Sequence, residues 1–598
     1  MTYKAKSYCL DLLLFLFAVA IFGSSLRNGF VGGDLIYYIG NEIIKSFDIG
    51  AMLLSGALEV DYCPLRDISL ALDYLVWGEN PFGFHLTNLL LYGLSVVAVK
   101  HLFFDLLPFV DGSADTDIDS RNQIASFLAA LLFAALPVHG EVVYAVNNRG
   151  VILTGLFFSL SCSLFLRHMR QESRINIFYA GSLLCFAAAV LSKEYSIILP
   201  LALVLFSVHG DHSKRVQNLV STMPFFLVSG LLYFIFRSIA VSARFIPQTS
   251  ESLLSGLASK TVVAIQIAAY YIFRILNAEK FGIFIEQSFQ GVPQVLMVFS
   301  LFVLVLVLIA AIMLRKRLPQ LLFGFIFYLI CLIPVLNFFK TYPVTADRFA
   351  YLPSLGLLFA ITAVSRLRQV RLAMVPIIIL SIFWAVVSMQ QTVYWKDNLT
   401  YWEYIASIEP TADTYSNLGS AYLKNNDRVK AGEAFRKALQ NLPANAGGKV
   451  RGDILFMLGD NPGAIRAFEQ ALEQNRISPE SAEKLDWQFY NNLATAYKNA
   501  GNPAAALRNL ELSIALKPGS AGLYNTLGAL YGEMKQYDLA IGAFEKSMAL
   551  DPGYGFAPLN LAKTYLVMGD KAKAVSYLKL VHERFPQLRY AAEQLENK

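Results

Sequence analysis

Five groups of titratable and amide side chains interrupt a chain that is otherwise rich in apolar runs. The first holds Asp34, in Asn28-Gly29-Phe30-Val31-Gly32-Gly33-Asp34, directly after an apolar stretch. The second runs from Asn80-Pro81, a turn or helix start, to His85 and Asn88, which share a helix face at i and i+3. The third joins His139 and Glu141 to Asn147, Asn148 and Arg149, the fourth is Lys193-Glu194, and the fifth is Asp347-Arg348 with Tyr351 close behind. Carboxylates and imidazoles move protons, while lysine and arginine offset negative charge. Acids with histidines also suit a divalent ion, but no ligand spacing compels one, and no metal ligands are assigned. Singly, each group has a plainer reading as a solvated loop acid, a packing histidine, a snorkelling cation or a cap. Their convergence argues for a polar site.

Apolar spans must position these groups. The chain has 598 residues, 56% of them hydrophobic and 16% charged, with a mean hydropathy of +0.48. That is too apolar for a soluble protein of this size. Spans are expected near 8–26, 87–109, 123–145, 150–166, 177–193, 195–208, 221–240, 294–314, 319–337, 349–365 and 372–391, about 11 in all. Segment 261–278, with Lys260 and Arg274 at its ends, reads as interfacial or re-entrant. Lys4 and Lys6 before the first run resemble a signal peptide, yet no convincing cleavage site follows Ala20, and a retained first span is expected.

Basic residues in the Arg167–Arg174, Lys214–Arg215, Arg315–Arg317 and Arg366–Arg371 loops put these loops and the N-terminus in the cytoplasm. The five polar groups then collect on the opposite face. The net charge of +6 sits largely in short loops and needs no nucleic acid to explain it. Of five cysteines only Cys63 lies in a sizeable loop, so no internal disulfide framework is implied.

Near Trp395 the character of the chain changes, giving an expected membrane domain over 1–395 and a soluble domain over 396–598. Leu418, Gly419, Tyr422, Ala431, Phe435, Ala438 and Pro443 fill one tetratricopeptide repeat. Leu493, Leu527 and Leu561 open further copies at 34-residue spacing, and Gly459, Ala464, Phe468 and Ala471 mark a degenerate one with a shortened first helix. About five stacked helix pairs make an α-solenoid with a concave groove, a shape that binds peptides or proteins. The fold class is therefore all-α, with a polytopic membrane domain followed by a solenoid. An odd number of spans puts the solenoid on the non-cytoplasmic face.

The runs PVHGEVVYAVNNRG, LSKE, ADRFAYLPSLG and NPFGFHLTNLLLY resemble motifs of the transmembrane and tetratricopeptide-repeat-containing (TMTC) proteins, protein O-mannosyltransferases with a GT-C type membrane fold. The resemblance covers essentially the whole chain, spans first and repeats second. It implies transfer of a sugar, with mannose the family's choice, from a polyprenyl-phosphate carrier in the membrane to a protein or peptide acceptor on the periplasmic or lumenal side. Asp34 matches the second aspartate of the family's paired acids, and Gly33 stands at the first. Cys63 stands where a basic residue is usual, with Arg66 three residues on.

Carried over, Asp34 is the catalytic base, Arg348 and Lys193 bind the donor phosphate, and His85, His139, Glu141, Glu194, Asp347 and Tyr351 shape the site. No cofactor beyond the lipid-linked sugar is certain. Two other classes compete: a membrane-anchored repeat scaffold without catalysis, and a lipid-linked glycan ligase or polymerase, whose long external loop comes late rather than after span one. The compact loops favour a bacterial inner membrane.

Overall fold

The computed structural model describes residues 3–34, 41–54, 62–111, 116–171, 176–210, 213–242, 253–276, 294–336, 345–366, 370–443, 446–477 and 485–596. Parts of the expected 27–86, 100–122, 167–174, 338–348 and 366–371 loops lie outside these residues. Among the described residues every regular element is an α- or 3-10 helix. The chain divides into two compact units, Met1–Ile408 and Glu409–Lys598. The helix Asn398–Ile408, with Tyr401 and Ile405 buried, is part of the first unit.

Six helices of the first unit are long and apolar enough to cross a membrane: Ser7–Arg27, Pro81–Val110, Val146–Met169, Arg215–Ile235, Asp347–Val364 and Met374–Trp395. A seventh span results if Ser120–Ala135 and Pro137–Tyr144, bent by 55° against each other, count as one. The break falls at Pro137, whose ring removes a backbone donor and clashes with the preceding turn. Ile177–Ser192, Glu194–His209, Val263–Ile275, Leu301–Leu314 and Pro319–Val335 are shorter apolar helices. The chain is a multi-pass membrane protein, and these helices expose aliphatic side chains such as Leu184, Leu227 and Leu306 where lipid would cover them.

Inside the first unit, Val99, Phe103, Leu132, Phe158, Phe206, Phe327 and Phe359 are buried in one continuous apolar core. The 261–278 segment, read from sequence as interfacial or re-entrant, falls as far as residue 276 in the Leu253–Leu276 helix, which buries Ile267, Tyr271 and Ile275 in that core.

The second unit stacks five helix pairs: Ala412–Lys424 with Arg428–Gln440, Gly448–Met457 with Asn461–Ile477, Trp487–Asn499 with Pro503–Leu516, Ala521–Glu533 with Tyr537–Leu550, and Phe556–Met568 with Lys571–Arg584. Arg589–Glu596 follows them. The degenerate second pair opens on a 10-residue helix where the other first helices have 13. A Cβ at Gly419, Gly452 or Gly528 would lie 2.4–2.6 Å from the ring of Phe435, Phe468 or Phe544, so the close helix crossing depends on glycine.

Candidate functional site

Asp34 ends a short loop that is held from several sides. Gly29 donates its N–H to the Lys396 carbonyl at 2.7 Å, and the Gly29 carbonyl meets His85 Nε2 at 3.3 Å. Gly32, at φ +52°, donates to Asn398 Oδ1 at 2.9 Å. A side chain there would press on the Tyr401 ring, 3.4 Å from the Cβ position. His85 therefore braces the loop from the Pro81–Asp111 helix, whose first turn Asn80 caps through the Phe82 N–H at 3.1 Å. Residues just beyond Trp395 brace it from the other side.

The Asp34 carboxylate is fully buried and accepts three backbone N–H groups, from Asn147 at 2.7 Å, Val31 at 3.2 Å and Val146 at 3.3 Å. Burial pushes its carboxyl up to about 7, against these donations and the field of Arg149. Asn147 and Val146 lie in the segment that begins with the Gly140–Tyr144 helix. In that helix Glu141 accepts the backbone N–H of Arg348 on Oε2 at 2.8 Å and pairs through Oε1 with its guanidinium. Asn148 Nδ2 donates to the Glu141 carbonyl at 3.0 Å. One segment, Glu141–Asn148, thus fixes the acid at one end and the arginine at the other.

Lys193 and Glu194 sit together, Nζ to Oε2 3.7 Å, with Cys63 Sγ 3.9 Å from Glu194 and 4.0 Å from Lys193. Tyr195 lies within electrostatic reach of Lys193, Glu194, Arg348 and Cys63. Its buried hydroxyl has no hydrogen-bond partner among the described residues. Tyr195 was not singled out from sequence. Its only signal was adjacency to Lys193-Glu194.

Three expected site residues have partners of their own. His139 is fully buried, with Nδ1 3.0 Å from the Tyr92 hydroxyl and its ring 4.5 Å from both Phe133 and Tyr351. Tyr351 itself bonds Ser95 at 2.9 Å, so the two belong to the aromatic packing beneath the polar groups. Asp347 holds Arg274 in a two-pronged pair, 2.7 Å on each oxygen. Arg149, quoted in the third group without a role, is fully buried and binds Asn88 Oδ1 at 2.7 Å, the Ser69 carbonyl at 3.0 Å, the Phe84 carbonyl at 2.9 Å and Asp73. It ties the Pro64–Trp77 helix and the first turns of the Pro81–Asp111 helix to the start of its own helix.

Among the described residues no three His, Cys, Asp or Glu side chains group as a metal ion requires. Asp34 is ringed by N–H donors rather than by further acids, so the donor set does not fit a metal, and none is assigned.

Tetratricopeptide-repeat family models match residues 412–444, 488–517 and 533–594. The protein O-mannosyl-transferase tmtc2 of Xenopus laevis is 28% identical over 219 residues, covering 34% of this chain and 24% of that protein. Human TMTC4, also a protein O-mannosyl-transferase, is 32% identical over 199 residues, 30% of this chain and 26% of that protein. The match thus spans about a quarter of the length of these curated relatives. Among solved structures, YrrB, described as a TPR protein with an unusual peptide-binding site, is 19% identical with a TM-score of 0.23, covering 33% of this chain and 98% of that one. The chain is similar to the TMTC protein O-mannosyl-transferases, the family whose motifs its membrane half resembles, and it carries tetratricopeptide repeats.

Proposed function

We propose that the chain is a GT-C type membrane glycosyltransferase of about 11 spans that passes a sugar, mannose in the first instance, from a polyprenyl-phosphate carrier to a protein or peptide. The observation that carries this reading is the Glu141–Asn148 segment, which fixes the Asp34 carboxylate and the Arg348 guanidinium on one frame. Asp34 accepts the proton of the acceptor hydroxyl as its oxygen bonds to the anomeric carbon. The bond from that carbon to the carrier phosphate breaks, and the phosphate leaves with the electron pair. Arg348 and Lys193 offset the charge gathering on it, and the free Tyr195 hydroxyl is placed to donate to a phosphate oxygen. Glu141 is spent on Arg348, which makes it a positioning residue.

The repeats bind the acceptor and raise its effective concentration near the site. With an odd number of spans they stand on the periplasmic or lumenal side, in keeping with a bacterial inner membrane. The deciding experiment supplies the purified full-length protein with polyprenyl-phosphate sugars of several kinds and an acceptor peptide mixture, and reads release of carrier lipid. Turnover that Asp34→Asn abolishes supports the reading. Absence of turnover with every donor replaces it by a membrane-anchored scaffold.

A further inference from the structure

A third run of chain closes the acid–arginine frame, and it begins where the Met374–Trp395 helix ends. Asp397 caps the Asn398–Ile408 helix, its Oδ1 accepting the Thr400 N–H and the Thr400 hydroxyl, each at 2.9 Å. With the first turn fixed in this way, Asn398 and Tyr401 lie three positions apart on one helix face. That face meets the Asp34 loop. Asn398 Oδ1 accepts the Gly32 N–H at 2.9 Å. The Tyr401 ring stands where a Gly32 side chain would begin, with Cε1 3.4 Å and the hydroxyl oxygen 3.9 Å from that Cβ position. One residue before the cap, the Lys396 carbonyl accepts the Gly29 N–H at 2.7 Å.

The same run also reaches the segment that carries Glu141. Trp395 is 1% exposed, stacks on Tyr144 with ring centroids 6.1 Å apart, and lies 5.1 Å from the Tyr401 ring. Thr392 Oγ1 donates to the Tyr144 hydroxyl. Tyr144 ends the Gly140–Tyr144 helix, in which Glu141 holds Arg348. Tyr401 is itself within electrostatic reach of Arg348. Three runs far apart in sequence, 29–34, 141–148 and 392–401, thus brace one another through Tyr144 and the loop glycines. Supported by the Asn147 and Val146 donors alone, the Asp34 loop could still hinge about them. A second support on another element removes that freedom.

We propose that Asn398 and Tyr401 are positioning residues of the transfer site: from just past the Met374–Trp395 helix they hold the Asp34 loop against the segment that carries Arg348, so that base and phosphate-side cation keep the separation one glycosyl transfer needs. The inference rests on the glycosyltransferase reading above. A misplacement of about 1 Å at a reacting group costs up to roughly 100-fold in rate, so a residue that never touches substrate can still set that rate.

The test compares full-length Asn398→Leu and Asn398→Asp, which differ in whether an oxygen remains for the Gly32 N–H. Carrier-lipid release is followed from pH 5 to 8 at varied donor concentration, with amide exchange over residues 28–34 measured on the same samples. Asn398→Leu is expected to lower kcat about 10- to 100-fold with donor KM within about twofold, because the base and not the phosphate site is displaced. The acid limb of the parent lies near 7 while burial holds the Asp34 carboxyl up, and it should move down by about one unit as the loosened loop admits water. Exchange over 28–34 should quicken about tenfold. Asn398→Asp should recover most of each change. Tyr401→Ala should act as Asn398→Leu does, and Tyr401→Phe, which keeps the ring on Gly32, as Asn398→Asp does. Tyr401 is 4% exposed, so the Asn398 pair decides if Tyr401→Ala fails to fold. A merely structural role would lower the yield of folded enzyme and leave the acid limb in place. In Asn398→Leu, a kcat within twofold of the parent, an unmoved acid limb or unchanged exchange over 28–34 overturns the inference alone. Absence of turnover in the parent with every donor removes the glycosyltransferase reading, and the inference falls with it.

Discussion

The N–H of Asn147 donates to Oδ1 of Asp34 across 2.7 Å, joining two residues 113 positions apart in the chain. With the Val146 and Val31 donors it makes a three-pronged cradle for a carboxylate that no solvent reaches. The cradle favours the ionised form and burial opposes it, which leaves a group that changes protonation near neutrality instead of one locked in either state.

Asp34→Asn replaces an acceptor oxygen by an NH₂ that must face one of those N–H groups. An unsatisfied buried donor costs about 1–3 kcal/mol, so the variant should melt at a lower temperature. Loss of the base should reduce carrier-lipid release by roughly 10²–10⁴-fold. Transfer within twofold of the parent, measured on folded variant, would mean that Asp34 only anchors the loop.

The pH dependence has two opposite signs. The Asp34 carboxyl moves from an ordinary 3.8 up to about 7 through burial, so between those values the folded protein keeps a proton that the unfolded chain has lost. Its contribution to stability is therefore full below pH 3.8 and is lost as pH rises towards 7. Activity runs the other way, because the base must be ionised. The rate at low donor concentration should rise about tenfold per pH unit below 7 and level off above it. A flat profile from pH 5 to 8 would remove Asp34 from the base role.

Local pattern exposed the repeats, the run of apolar helices and the polar groups between them, because each is written within some tens of residues. Which polar residues meet was not legible. Arg274 and Asp347 are 73 residues apart, and Glu141 and Arg348 are 207 apart, distances at which periodicity carries no information. His139 and Tyr351 read as site residues by type and neighbourhood, yet their rings pack against each other and against Phe133. Residues 396–408 follow the last apolar run and so read as the start of the solenoid. In the fold, the Lys396 carbonyl and Asn398 instead hold Gly29 and Gly32 of the Asp34 loop.

Glu141 is 1% exposed and Arg348 19% exposed, so removing either partner strands a poorly solvated charge. Glu141→Leu should destabilise the protein by about 3–5 kcal/mol. Pairing it with Arg348→Met should recover most of that stability but none of the transfer, because the proposed mechanism uses Arg348 as its phosphate-side cation. Thermal unfolding and carrier-lipid release, read on the same three variants, separate the two roles. Recovery of transfer in the double variant would exclude Arg348 from donor binding.

The solenoid gives a prediction that depends on no assignment of activity. Gly419, Gly452 and Gly528 each face a phenylalanine sixteen residues on, whereas Ala494 and Ala562 stand at the same repeat position and share apolar clusters with Leu510 and Leu578. The larger ring goes with the missing Cβ, and the smaller side chain leaves room for a methyl group. Gly528→Ala puts a Cβ 2.6 Å from Phe544 Cε1, which is closer than packed carbons approach. The ring or the Ala521–Glu533 helix must then shift, at about 1–3 kcal/mol. Phe544→Leu alone should also destabilise, by leaving space beside Gly528. Together the two changes rebuild the alanine–leucine arrangement of the neighbouring repeats, so the double variant should be more stable than the sum of the singles by about 0.5–3 kcal/mol. Amide exchange over residues 521–550 measures the four corners of the cycle. Strict additivity would show that the crossing is not set by this pair.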